Sequence, residues 1–316
     1  MNICHVLKYT APARDAQGTQ RVLEAIARQQ KKDGHNIFLY INKDSIIDVG
    51  PVVDRIPIDC DVVHYHSEMP SAYGHPENKF PWIVTPQGGG TDTPDIVEKY
   101  KNYCSHFVFV SKFCANIYNS SCYIYNCADS QELIFTDKKD DYFLWIGSTD
   151  WGDEKGLFSS ILTAKRMGFK LKIAGGGKNQ DIIDYVKSHC NDKIEYLGFV
   201  NGKKKAELIS GAKGLLMLGA IPDACPVTII EALASGVPVI ASSAGAYPEM
   251  INNRVGFIYN DPVGLRRAIA SVNKIVPQDC RNHFLSTFSP EVVTKKYMVA
   301  YKSMIRYSDV RECIDE

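Results

Sequence analysis

Short apolar runs alternate with longer amphipathic ones along this chain, and the alternation happens twice. In the first pass "NICHVL", "GTQRVLEAIARQQKKDG" and "HNIFLYI" read as strand, helix and strand. The middle run has apolar residues at helical spacing, Lys31 and Lys32 in its last turn, and Gly34 just past its end. "DVVHYH", "PWIVT" and "HFVFVS" follow as further strands, each bounded by Pro, Gly, Asp or Ser. After the polar stretch from Asp137 to Asp141 the pattern restarts with "YFLWIG", the helix "GLFSSILTAKRMG" and the strand "LKIAG". It continues through "KIEYLG", "KKKAELISGA", "GLLMLG", "PVIASS" and "GFIY". Strands separated by helices call for parallel sheets, because the helix carries the chain back to the starting edge. The expectation is an α/β chain of two domains, residues 1–140 and 141–288. A last helical run, "SPEVVTKKYMVAYKSMI" within 289–316, opens on a Ser289 cap and Pro290, and it can close the second domain or pack back on the first.

The 316 residues suit two domains, and 45% hydrophobic content lets each bury a core. Thirty-six basic residues balance 36 acidic ones, which gives no electrostatic reason to expect nucleic acid. The basic patches Lys31–Lys32 and Lys203–Lys205 read as solvated faces. Ten cysteines are scattered from Cys4 to Cys313 without a C-x-x-C pair, as expected of small buried side chains in a reducing compartment. No run of about 18 apolar residues occurs and the N-terminus lacks a basic head before an apolar stretch. The expected location is cytoplasmic, at most peripheral to a membrane.

The stretch "IPDACPVTIIEALASGVPVI" holds two acids. Pro226 suits the first turn of a helix and Gly236 its end. Asp223 then lies in the loop ahead of the helix, and Glu231 lies inside it, about 7.5 Å along the axis from Pro226. Between them the helix N-terminus offers N–H groups and the positive end of the dipole, which suit a phosphate or diphosphate. The carboxylates would not bind that anion. They accept bidentate hydrogen bonds from vicinal hydroxyls, so a sugar near Asp223 and a ribose near Glu231 would account for both. On spacing alone the alternative stands beside this: a capping Asp223, and Glu231 on the helix's wet face.

The continuation "EALASGVPVIASSAGAYPEMI" closely resembles the E-A-M-A-x-G-x-P-V-V-A…P-E segment of retaining GT-B glycosyltransferases, in particular glycosyltransferase family 4. "FLWIGSTDWGDEKG" resembles that family's donor-domain loop, and "LKIAGGG" and "IEYLGFV" also fit. The front of the chain is similar to the family's first strand, glycine loop and helix, and Asp223 with Glu231 falls on its E-x(7)-E motif. The resemblance implies two Rossmann-like domains facing each other across a cleft, an acceptor domain first and a nucleotide-sugar donor domain second. It implies sugar transfer from a nucleoside diphosphate, UDP as first choice, to a hydroxyl of a glycan, lipid or small molecule, with retention and no metal or other cofactor. By the same resemblance Glu231 holds the ribose and Asp223 meets the transferred sugar. Pro226, Val227 and Thr228 cradle the diphosphate, and Lys155 neutralises charge on the leaving group. Gly147 and Ser148 belong to the donor loop, Val200 meets the base, and Gly18 and Thr19 border the phosphates or acceptor.

Three positions depart from the family pattern. Asp223 is one methylene shorter than Glu, Ser148 stands where an arginine is usual, and Gln87 in "TPQGGG" replaces a histidine. Gln87 can hydrogen-bond a sugar but cannot take a proton. Ser148 and Gln87 motivate a rival reading, a catalytically degenerate scaffold that binds a nucleotide or glycan; a sugar-nucleotide epimerase is the other. "DCD" at Asp59–Asp61 reads as a turn, and "AGGGK" lacks the spacing and downstream acid of a dinucleotide fingerprint. His64 and His66 share one strand face, and with no third ligand in reach by sequence the expectation is core packing, as for His5. Trp145 reads as buried packing, with Trp151 and Tyr247 as possible stacking partners for sugar or base.

Overall fold

The computed structural model of the chain describes residues 1–12, 18–75, 79–88 and 105–315. The chain divides into two compact units, one made of Met1–Asp129 with Phe288–Glu316 and the other of Ser130–Thr287. The division falls ahead of the 140/141 junction read from composition. The reason is local: Asp140 N donates to Gly211 O, and Lys139 Nζ donates to Ser210 O and Ser235 O, so the polar stretch is already tied into the second unit.

The first unit contains β1 (Asn2–Val6), α1 (Gly18–Lys32), β2 (Asn36–Tyr40), β3 (Val62–His66), β4 (Trp82–Thr85) and α2 (Lys112–Ile117). Its sheet is parallel throughout in the order β2-β1-β3-β4, with His5 registered against His64. All residues of β3 and β4 are buried, as a parallel sheet covered on both faces requires. α1 turns Val22, Leu23, Ala25, Ile26 and Ala27 inward. The predicted strand "HFVFVS" forms isolated bridges instead. Phe107 pairs with Val84 and Phe109 with Tyr123, so this buried run divides its backbone between two neighbours and completes a ladder with neither.

The second unit runs β5 (Phe143–Ile146), α3 (Leu157–Met167), β6 (Leu171–Ala174), α4 (Gln180–Ser188), β7 (Ile194–Tyr196), α5 (Gly202–Gly211), β8 (Gly214–Met217), α6 (Val227–Ala234), β9 (Val239–Ser242), α7 (Tyr247–Met250), β10 (Gly256–Tyr259), α8 (Pro262–Ser271) and α9 (Pro277–Thr287). Its parallel sheet has the order β10-β9-β8-β5-β6-β7. The chain builds outward from β5 through β6 and β7, then returns to β8 on the other side. The loops after β5 and β8 therefore part company at the carboxyl edge, the place where open parallel sheets receive ligands. Phe143, Trp145, Ile161, Leu171, Ile173, Leu216 and Ile240 fill the core beneath.

The last helix, α10 (Pro290–Asp315), packs against α1 and β4 of the first unit. Ser289 Oγ accepts from Val292 N at 3.4 Å at its start. Tyr297 and Tyr301 enter the core of that unit, which is why the C-terminal segment belongs there.

Candidate functional site

Four loops meet at the carboxyl edge of the second sheet, and close backbone contact holds them in place. After β5, Ser148 caps a short 3-10 segment, Thr149–Lys155, its hydroxyl accepting from Asp150 N at 3.4 Å. Asp150 Oδ1 in turn accepts from Lys178 N at 2.6 Å and Asn179 N at 2.8 Å. The "AGGGK" run is thus the loop after β6, docked on the loop after β5. Gly175, at φ +157°, lies so close that any β-carbon there would collide with Gly147 O. Gly156, at φ +73°, approaches the Leu218–Gly219 backbone after β8 in the same way. Buried Trp145 completes the support, its Nε1 donating to Lys155 O at 2.9 Å.

This packing aims Lys155 at the loop before α6, where its Nζ meets Asp223 Oδ2 at 2.7 Å. The loop after β9 presses on the same residue. Gly245, at φ +54°, sits against the Asp223 backbone where a side chain would clash, and Ala246 N donates to Asp223 O at 3.0 Å. Tyr247 lies buried beside it, its phenol pushed up by burial and then by the Asp223 charge. Trp151 is half-exposed.

α6 begins one residue later than the sequence suggests: Pro226 is the N-cap, in extended conformation, and Val227 and Thr228 open the first turn. Pro226 makes no side-chain cap bond, and the Asp223 carboxylate is turned to Lys155 instead. That excludes Asp223 as a cap. The other end is compensated by cations, Arg281 Nη1 donating to Ala234 O at 2.7 Å and Lys139 Nζ to Ser235 O at 2.9 Å. Burial lowers the Lys139 ammonium to about 8. An uncapped N-terminus with a cation-bound C-terminus is the arrangement that favours an anion at the free end.

Glu231 is 3% exposed, so the wet-face alternative fails as well. Both its oxygens lie 2.7 Å from Lys205 Nζ on α5. This corrects the reading of Lys203–Lys205 as a solvated face: Lys203 is, whereas the Lys205 side chain is only 16% exposed. The sequence signal was present in the helical period, since Lys205 precedes the inward-facing Ala206, Leu208 and Ile209. Val200 is buried in the turn after β7, beyond Gly198 at φ +65°.

The remaining candidates lie in the first unit. Gly18 and Thr19 open α1, and Gln87 follows β4 with its buried Nε2 lacking a hydrogen-bond partner. The chain just before Gly18 and just after Gly88 lies outside the described residues.

His64 and His66 have the third neighbour the sequence did not reveal. β1 places His5 beside them, and the ring nitrogens of all three lie within 4.8 Å of one another. Gln30 Nε2 donates to Tyr301 Oη at 3.3 Å, so its Oε1 accepts from His5 Nε2 at 2.7 Å. His5 Nδ1 then accepts from His66 Nε2 at 3.0 Å, and His66 Nδ1 is left without a partner. Tyr301 donates to His64 Nδ1 at 2.7 Å, and His64 Nε2 donates to Thr85 Oγ1 at 2.8 Å. Burial lowers His5 to about 4 and holds His64 and His66 well below the usual imidazole range, the neighbouring rings adding to the effect. The cluster is neutral and hydrogen-bonded.

With this geometry in place the chain can be set beside known proteins. Residues 134–279 match the family described as Glycosyl transferases group 1. An uncharacterized glycosyltransferase of Methanocaldococcus jannaschii is 33% identical over 103 residues, which cover 31% of this chain and 25% of that protein. This chain thus spans about a quarter of the length of that relative. Among solved structures, a glycosyltransferase involved in avilamycin A biosynthesis superposes with a TM-score of 0.78 at 17% identity, covering 96% of this chain and 98% of the other. The Anabaena HepE protein in complex with UDP gives 0.70 at 13% identity, covering 96% and 100%. The fold is the GT-B fold. The group 1 segment contains Gly147, Ser148, Lys155, Val200, Asp223, Pro226–Thr228 and Glu231, together with the unforeseen Lys205. No helix among the described residues is long and apolar enough to cross a membrane.

Proposed function

We propose that the chain is a retaining glycosyltransferase of family 4 type that moves a sugar from a nucleoside-diphosphate sugar, UDP-linked, to an acceptor hydroxyl without a metal ion. The observation that carries this reading is the N-terminus of α6, uncapped among the described residues, with a lysine-paired carboxylate on each side, Asp223 with Lys155 and Glu231 with Lys205. The diphosphate lies against Val227 and Thr228, the ribose diol on Glu231 and the sugar hydroxyls on Asp223. Lys155 stabilises the negative charge that grows on the leaving diphosphate, and its pairing with Asp223 couples the hold on the sugar to that role. The acceptor attacks from the face the diphosphate leaves, and the departing phosphate oxygen takes its proton. UDP is favoured because the similar HepE structure holds it.

The test is a thermal-shift series with UDP, GDP, ADP and their sugars on wild type and Glu231→Ala. A ligand at 100 times its Kd adds about 2.7 kcal/mol to the folded state. The expected result is a clear upward shift with UDP or a UDP-sugar that Glu231→Ala abolishes while it remains folded. No shift with any nucleotide would reject the reading and leave the scaffold rival. Slow release of UDP from a UDP-sugar without acceptor would remove that rival, and the anomeric proton coupling of the product reports retention.

A further inference from the structure

Lys205 belongs to a run of three lysines at the start of α5, yet it behaves unlike its neighbours. Lys203 is exposed and pairs with Glu207 one turn on, Lys204 is exposed, and Lys205 turns inward to Glu231 of α6. Its Nζ lies 2.7 Å from each carboxylate oxygen, with 16% of the lysine side chain and 4% of the glutamate side chain exposed.

Glu231 sits about 7.5 Å along the helix from Pro226, close to the end where the proposed diphosphate rests. That separation is inside the screening length of about 8 Å at physiological salt, so a bare carboxylate there would repel the phosphates. A carboxylate has about four lone-pair sites, enough for an ammonium and a diol to share it. We propose that Lys205 is a positioning residue of the donor site: it neutralises Glu231, so that this carboxylate can hold a ribose diol beside a diphosphate. The inference rests on the transferase reading above. It also gives the site a symmetry of charge, each acid beside the anion-binding helix end carrying its own ammonium.

A lysine that merely staples α5 to α6 would matter equally for charged and uncharged ligands. The test therefore uses calorimetry with whichever of UDP, GDP and ADP binds wild type, and with its parent nucleoside. The proteins are wild type, Lys205→Met, Lys205→Arg, Glu231→Gln and the double variant Lys205→Met/Glu231→Gln. The expected result is a loss of about tenfold or more in diphosphate affinity for Lys205→Met, against about twofold for the nucleoside, with Lys205→Arg restoring most of it. The double variant should bind the diphosphate as Glu231→Gln alone does, because no carboxylate remains to be neutralised. It also keeps the test intact if Lys205→Met does not fold. Equal losses for nucleotide and nucleoside, no loss at all, or an extra loss in the double variant would overturn the inference. Failure of the transferase reading is seen separately, as no nucleotide binding by the unsubstituted protein.

Discussion

The two units share a plan, a parallel sheet with helices, but place their polar groups in opposite ways. In the first unit the largest buried set is neutral: His5, His64, His66, Gln30, Thr85 and Tyr301 form one hydrogen-bonded network between the sheet, α1 and α10. In the second they are charged and stand at the carboxyl edge, as Lys155–Asp223 and Lys205–Glu231. The difference follows from desolvation. A neutral network can be buried once its donors and acceptors are matched, and it then fixes how α10 seats on the sheet. The Lys155–Asp223 pair stays partly in water, while the buried Glu231 carboxylate is tolerated because Lys205 compensates its charge at 2.7 Å.

The sharpest break in this comparison should come from Lys155→Ala. Its side chain is 39% exposed, so the ion pair with Asp223 adds little to folding, within about 1 kcal/mol. If the charge serves the leaving group, transfer should fall by about 10²- to 10³-fold while the melting temperature barely moves. Turnover of the donor found by thermal shift, measured beside a melting curve, checks both. A large fall in melting temperature with little change in rate would mean that the charged edge is structural after all.

The next largest effect separates the units by pH. His5, His64 and His66 have folded-state values below that of the unfolded chain, so between the two values the unfolded state binds more protons. The contribution of these histidines is therefore full above about 6.5 and is lost as pH falls toward 4, His5 alone accounting for about 3 kcal/mol. Amide hydrogen exchange at pH 7 and pH 5 should show β1, β3 and α10 losing protection before the sheet of the second unit. Simultaneous loss in both units would contradict the contrast drawn here.

What was legible beforehand follows the same division. Periodicity exposes strands and helices, so both parallel sheets, α1, α6 and the end of α6 at Gly236 could be read from the residues alone. The motif resemblance brought together Lys155 and Asp223, which are 68 positions apart and meet in the structure. What stayed hidden depends on tertiary neighbours. His5 joins His64 only through the β1–β3 register, and Lys205 meets Glu231 across 26 positions from a run that looks solvated by composition. Phe107 and Phe109 have strand-like residues, but their backbone partners lie on different segments. Sequence patterning reveals which face an element buries, and much less about which polar partner waits there.

The smallest effect tests whether the neutral network of the first unit is matched bond for bond. Tyr301 is fully buried, and its hydroxyl both accepts from Gln30 and donates to His64. Tyr301→Phe keeps the ring and removes both bonds, leaving an amide N–H and a ring nitrogen unsatisfied where water does not reach. The expected cost is about 1–3 kcal/mol. The Tyr297 ring packs beside His64, which phenylalanine would preserve, and its hydroxyl meets the network through Thr85 Oγ1 at a longer 3.3 Å, so Tyr297→Phe should cost less. Urea unfolding of the two variants, followed by exchange protection on β3, decides the matter. If the two phenylalanines cost the same, position in the chain of bonds is irrelevant and the histidines are merely packed. If Tyr301→Phe costs more, the network acts as a connected whole, and the first unit's neutral core is specified by its hydrogen bonds as the second unit's edge is by its charges.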